Sequence, residues 1–314
     1  MKGDDFMADV CLLGTVGTIP RVDRYLSSVF FRHDGHSILF DCGEGTQLAI
    51  KKAGFSFKSI DVICLSHFHA DHVTGLVGLL LTMGNEGRSA PVTVITPTGG
   101  AQILRAMLVI ADLVFDLDVK EIDTAHTPTD TVVSLCNGRL SVYAAPAIHS
   151  VPCIAFSVYI KRDGKFDPER ARALGVPQNK WNEIRKNGYA EYGGKIYCHS
   201  DVMGEERRGI RFSYITDTRP SPAFLPLVRG SDLLVCEGMF GDDEKRHRAE
   251  KSCHMLFSEA ATLARDAECQ RLILTHFSPS MPEPEELLHN ATDIFENTVC
   301  GTDGMTVTVN FADE

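Results

Sequence analysis

The chain has 314 residues, 44% of them hydrophobic, enough for a large buried core in one big domain or two ordinary ones. A formal net charge of -11 and a pI near 5.5 exclude the broadly basic surface of a general nucleic-acid binder, so any such contact has to be local. No apolar run approaches the roughly 20 residues of a membrane span, and Met1-Lys2-Gly3-Asp4-Asp5 does not lead into a secretion signal; a soluble, cytoplasmic protein without membrane contact is expected.

Short β-rich runs at 8–13, 28–32 and 38–41 read as strands and 45–53 reads as a helix, the opening of an α/β protein. Residues 62–65 form an apolar strand that ends at Ser66-His67-Phe68-His69-Ala70-Asp71-His72. Residues 71–83 then have helical length and composition, which puts these histidines on a strand-to-helix turn. A strand at 92–95 and a helix at 103–115 repeat the alternation, Asn137-Gly138 marks a hairpin within 132–145, and the run 143–148 leads to His149. From 161 to 208 the chain turns polar and charged, with Gly193-Gly194 and its only tryptophan, Trp181, and reads as an insertion projecting from the core. Strands resume at 212–216, 233–236, 271–275 and 305–311, with helices at 257–267 and 285–295. No linker, repeat or low-complexity tract interrupts the chain, so one domain over 1–314 with an arm-like insertion at about 162–208 is expected. Ten cysteines stand singly among apolar residues, without a CxxC pair, and most read as reduced core residues.

His67, His69, Asp71 and His72 lie within six residues, and imidazole with carboxylate is the donor mix of zinc, with manganese or iron as competitors. Packing does not explain three imidazoles and a carboxylate in one turn. One turn also cannot complete two coordination spheres. His149, Asp217 and His276 each follow a predicted strand and could meet the turn at one sheet edge. His33, His36, His126, His199, His247 and His289 stand alone and read as ordinary histidines.

The run His67-Phe68-His69-Ala70-Asp71-His72 resembles the HxHxDH signature of the metallo-β-lactamase superfamily. Gly14-Thr15, Phe40-Asp41-Cys42-Gly43-Glu44-Gly45-Thr46-Gln47 and Leu274-Thr275-His276-Phe277-Ser278-Pro279 resemble blocks of the short form of tRNase Z, and the likeness covers nearly the whole chain. It implies a four-layer αβ/βα metallo-β-lactamase sandwich with a small inserted arm and two zinc ions, manganese or iron being possible. It further implies that His67, His69 and His149 hold one metal and Asp71, His72 and His276 the other, with Asp217 bridging both. Two metals about 3.5 to 4 Å apart clamp a phosphodiester oxygen and generate a hydroxide nucleophile near neutral pH. Asp71 can then orient or deprotonate the attacking water. His254, paired with Glu237, matches the family histidine that stabilises the phosphate or protonates the leaving oxygen.

Arg21 and Arg24 lie in a segment resembling the family's substrate-side loop, where they either contact phosphate or are solvated surface charges. Residues 166–177 resemble the entry to the family's flexible arm, and Lys161, Arg162, Lys165, Lys180, Arg185, Lys186 and Lys195 make the region locally basic. The resemblance therefore implies an endoribonuclease that processes tRNA 3′ ends, with precursor tRNA as partner and a homodimeric state. Three departures motivate an alternative, a phosphodiesterase acting on a small or cyclic nucleotide. Residues 178–186 replace the family's glycine- and proline-rich arm tip, Cys236-Glu237-Gly238-Met239 stands where HEAT is common, and His254-Met255-Leu256 stands where HST is common. An insertion that is only an amphipathic surface or a dimer contact packed around Trp181 is the competing reading of the arm.

Overall fold

A computed structural model describes residues 7–125, 131–281 and 283–312. Its contacts divide the chain into a larger unit, formed from both sides of the 160–209 segment, and a smaller unit, Ile160–Gly209. The strands of the first half are β1 (Ala8–Gly14), β2 (Ser28–His33), β3 (His36–Phe40), β4 (Ile60–Cys64), β5 (Val92–Pro97) and β6 (Leu117–Ile122). There follow β7 (Val133–Leu135), β8 (Leu140–Pro146), β9 (Ile154–Arg162), β10 (Tyr189–Tyr192), β11 (Lys195–Cys198) and β12 (Arg207–Ile215). The last are β13 (Leu233–Glu237), β14 (Leu272–Thr275), β15 (Thr298–Cys300) and β16 (Thr306–Val309).

Two 7-stranded sheets result, in the orders β16-β1-β2-β3-β4-β5-β6 and β15-β14-β13-β12-β9-β8-β7. β3 through β6 pair in parallel, as do β12 through β15. β4 and β13 are almost wholly apolar because such strands are covered on both faces. Rings close the space between the sheets: Phe31 and Phe40 meet Phe156, Phe212 and Tyr214 at centroid distances of 5.4–5.7 Å. Each buried ring contributes about 1.5–3 kcal/mol by leaving water. Outside the first sheet, helices Thr46–Ala53, Leu76–Asn85 and Gly100–Met107 bury Ile50, Leu79, Leu80, Met83 and Leu104. Outside the second, helix Phe257–Asp266 buries Phe257, Ala260, Ala261 and Ala264 against Leu234, Leu272 and Leu274. The layers are helix, sheet, sheet, helix, the αβ/βα sandwich that the resemblance implies.

The helix expected at 71–83 is two helices, Ala70–Val73 and Leu76–Asn85. The break falls at Gly75, whose N–H donates to Cys42 O at 2.9 Å and where a Cβ would lie 2.2 Å from Gly43 O. Only glycine allows that approach, which seats the metal-binding turn against the end of β3. Strands β6, β9, β10, β11 and β15 go beyond the expected elements.

The smaller unit has its own compact core of Ala171, Val176, Trp181, Ile184, Ala190 and Val202. Asp167 caps its first helix, Pro168–Ala173, by accepting from the N–H groups of Glu169 and Arg170 at 2.9 and 3.0 Å. Trp181 is buried and its indole N–H donates to Val176 O at 3.0 Å. All ten cysteines are free, with only Cys198 exposed. Among the described residues no helix is long and apolar enough to cross a membrane.

Candidate metal centre

The parallel strands deliver their carboxyl ends side by side. Asp41 follows β3, the histidine turn follows β4, Asp217 follows β12, Glu237 closes β13 and His276 follows β14; His149 comes after β8. Asp41, Asp217 and His276 leave their strands in left-handed backbone, with φ of 54, 23 and 56°. Such a conformation costs a non-glycine residue about 1–3 kcal/mol and concentrates at functional sites.

Asp217 is the hub of the arrangement. Its Oδ2 lies 3.5 Å from His67 Nε2 and 3.7 Å from His149 Nε2, while its Oδ1 lies 3.2 Å from His72 Nε2 and 3.1 Å from His276 Nε2. His69 Nδ1 faces His67 Nε2 at 3.0 Å and His149 Nε2 at 3.1 Å, and Asp71 Oδ2 is 3.6 Å from His72 Nε2. Three overlapping donor groups emerge, His67, His69, His149 and Asp217, then Asp71, His72 and His276, and then Asp217, His254 and His276, each with its ligand atoms within 4.8 Å of one another. The seven residues singled out in the sequence thus occupy one place. His33, His36, His199, His247 and His289 join no such group among the described residues, and His126 lies outside them.

The donor set fits metal ions on two counts. Nε2 of His72 and Nε2 of His276 are buried and make no hydrogen bond, although a buried polar atom left unpaired costs about 1–3 kcal/mol. Both point at a carboxylate oxygen without hydrogen-bond geometry, as ligands of a common cation do. Imidazole nitrogens with carboxylate oxygens also suit zinc, manganese or iron.

The opposite ring nitrogens are tied down, which aims the free ones inward. His72 Nδ1 donates to Asp41 Oδ2 at 2.8 Å, and the same carboxylate accepts from Tyr214 OH at 2.9 Å, Ser66 Oγ at 2.8 Å and Ser66 N at 2.7 Å. His276 Nδ1 lies 2.7 Å from Ser27 Oγ, and His149 Nδ1 donates to Cys253 O at 3.1 Å. The Thr18 N–H donates to Asp71 Oδ2 at 2.6 Å. Sequence reasoning missed Asp41, Ser27, Tyr214 and Thr18. Asp41 carried the signal that picked out Asp217, a carboxylate just past a strand; the other three carried none.

Burial drives His67, His149 and His276 toward the neutral imidazole that ligates metal. Burial opposes the charge of Asp217, but His276, His72 and His67 outweigh it and hold the carboxyl far below its ordinary range. For His72 burial is likewise outweighed, by Asp217 and Asp41, and its pKa rises well above the ordinary value. That pair attracts a proton where a cation would serve equally.

Within the third group, His254 Nδ1 is turned to Glu237, 3.1 Å from Oε2 and 3.3 Å from Oε1, and lies 3.9 Å from Asp217 Oδ2. Burial disfavours a charged His254, but the fully buried Glu237, and then Asp217, push its pKa up to about 9. Arg24 is buried and donates to Thr15 Oγ1 and Gly301 O, both at 2.8 Å. Arg21 pairs with Asp23 at 3.0 Å.

Comparison with known proteins adds two family models and a set of relatives. The model of Anti-Pycsar protein Apyc1 matches residues 8–110, and that of the beta-lactamase superfamily domain matches residues 199–277. Ribonuclease Z of Clostridium acetobutylicum is 44% identical over 308 residues, covering 97% of this chain and 99% of the relative. Ribonuclease Z of Clostridium tetani is 42% identical over 310 residues, with coverage of 97% and 99%. Among solved structures, the short form of human tRNase Z has a TM-score of 0.69 at 23% identity, covering 96% of this chain and all (100%) of that one. A long form RNase Z from yeast gives 0.67 at 20% identity, covering 98% of this chain and 42% of that one.

Proposed function

The chain belongs to the ribonuclease Z family of metal-dependent hydrolases, and on that premise we propose that it removes the 3′ trailer from precursor tRNA with two bound metal ions. The observation that carries this reading is Asp217, which offers one carboxylate oxygen to each of two histidine groups beside His254 and the buried Glu237. One metal is assigned to His67, His69 and His149, the other to Asp71, His72 and His276, with Asp217 shared. Zinc is the first choice, with manganese or iron as substitutes. When bound, such a pair stabilises charge on phosphodiester oxygens and makes a strong nucleophile of water near neutral pH.

The chain's own residues have separate tasks. Asp71, with Oδ2 held by the Thr18 N–H, orients the attacking water and takes its proton. His254, kept protonated by Glu237, gives its proton to the ribose 3′ oxygen as the bond from phosphorus to that oxygen breaks. Residues 162–208 are read as an RNA-binding arm on a single hydrolase domain over 1–314, and the protein as a cytoplasmic homodimer.

The test is incubation of the metal-loaded protein with precursor tRNA and, separately, with a cyclic nucleotide and bis(p-nitrophenyl) phosphate. A single cut at the trailer junction is expected. The changed arm tip at 178–186 and the altered neighbours of Glu237 and His254 favour the second reading, a small-substrate phosphodiesterase. Hydrolysis of the small diesters with none of precursor tRNA, in zinc or manganese, would select it.

A further inference from the structure

The proton donor stands on a different segment from every metal ligand. His254 follows helix Arg246–Ser252, which is closed by Cys253 in left-handed backbone (φ 58°) and by the His254 N–H on Ala249 O at 2.9 Å. Its imidazole reaches Glu237, but a ring on a loop needs its backbone fixed as well.

Three consecutive residues, Asp217-Thr218-Arg219, supply that connection. Asp217 is the shared carboxylate of the metal centre. The Thr218 N–H donates to Glu237 Oε1 at 2.5 Å, and its hydroxyl accepts from the Ile148 N–H at 2.8 Å, next to His149. The Arg219 N–H donates to Ile148 O at 3.0 Å. The Arg219 guanidinium donates through Nη1 to the backbone oxygen of His254 and to Glu259 Oε2 at 2.9 Å, and through Nη2 to Glu259 Oε1 at 2.6 Å. Glu259 also accepts from the Leu256 N–H at 3.0 Å and from Arg246 Nη1 at 2.8 Å. Residues on both sides of His254, Arg246 and Leu256, are thereby fastened to one carboxylate that Arg219 grips. At 18% and 12% exposure the Arg219 and Glu259 side chains are largely withdrawn from water, and their two-pronged contact is directional in a way that an exposed ion pair is not.

We propose that Arg219 is a positioning residue: it fixes the His254 backbone and so holds the proton donor in register with the metal centre that its neighbour Asp217 assembles. This rests on the reading of His254 as the leaving-group acid. The stability of the helix ends alone does not call for the bond from Arg219 to the His254 carbonyl, because Leu256 and Arg246 are already held by Glu259.

The test uses the full-length, metal-loaded protein and the variants Arg219→Gln and Arg219→Lys. In crystals of R219Q, Asp217 and His149 should keep their places and both metals, while His254 moves off Glu237. R219K should recover part of the geometry, since an ammonium can donate to the carbonyl but cannot reproduce the fork. In kinetics, R219Q should lower kcat on precursor tRNA about tenfold to a hundredfold, part of the roughly 10²–10⁴-fold contribution of a general acid, with KM changed less than about threefold. Bis(p-nitrophenyl) phosphate, whose nitrophenolate leaves without a proton, should be slowed far less, and R219Q should add little to the loss already caused by H254A. An unmoved His254 in R219Q, loss of metal, equal losses on both substrates, or losses that multiply in the double variant would overturn the proposal. Failure of the unaltered protein to cut RNA would instead sink the functional reading, and the crystal comparison would still decide the role of Arg219.

Discussion

The metal centre draws its side chains from strand ends spread over most of the chain, whereas the 160–209 unit is built from neighbours in sequence around a small core containing Trp181. In the first, His67, His72, Asp217 and His276 are buried beside one another, and Asp41 and Ser27 hold the rings of His72 and His276 from behind, so one change reaches many partners. In the second, the helices and hairpin depend on a few local contacts. The contrast teaches that the candidate site is fixed collectively, while the segment proposed as the RNA-binding arm is contiguous and can vary by itself.

The strongest challenge to that contrast is Asp217→Asn. Asparagine tolerates the left-handed backbone at this position, so the fold should survive, but the shared carboxylate is lost. Metal analysis should find fewer than two ions per chain, and kcat on any phosphodiester should fall at least about 10³-fold. A fully metal-loaded, active D217N protein would rule out the shared carboxylate. Next in size, His254→Ala should cost about 10²–10⁴-fold on RNA and far less on bis(p-nitrophenyl) phosphate, which needs no proton on its leaving group. Equal losses would remove His254 from proton transfer. Asp41→Asn removes the charge behind His72 and should weaken metal affinity about 10- to 100-fold, read by competition with a chelator. Affinity unchanged by D41N would mean that the ligands hold their orientation without it. The smallest effect is expected for Arg21→Ala, within about twofold in kcat/KM, because the exposed Asp23 already neutralises this half-buried arginine. A larger loss on RNA alone would return Arg21 to a phosphate-binding role.

The centre was legible in the sequence to the extent that its signals were local. Three histidines and Asp71 sit in one turn, and His149, Asp217 and His276 each follow an apolar run, which for Asp217 and His276 is a parallel strand and for His149 is β8, antiparallel to β7. What supports them was not legible. Ser27 and Tyr214 meet His276 and Asp41 only because two sheets bring distant strands together, and nothing near either residue in sequence announces it. Asp41 was readable in principle, by the strand-end argument applied to Asp217. The break at Gly75 also escaped the helical pattern, since the need for glycine comes from the Gly43 carbonyl, not from the helix itself. Strand β6 alternates apolar and charged residues, Leu117-Asp118-Val119-Lys120, as a sheet edge does, but the expected helix running to 115 obscured it.

The division between fixed chemistry and variable choice is tested most directly by Trp181→Ala, assayed beside the unaltered protein on precursor tRNA and on bis(p-nitrophenyl) phosphate. Removing a buried tryptophan costs about 3–5 kcal/mol, a large loss for the small core of the 160–209 unit. In W181A, kcat/KM on precursor tRNA should fall about tenfold or more, equivalent to about 1.4 kcal/mol of lost binding, while the small diester is hydrolysed as before with both metals bound. Equal losses on the two substrates, or none on the RNA, would contradict that division.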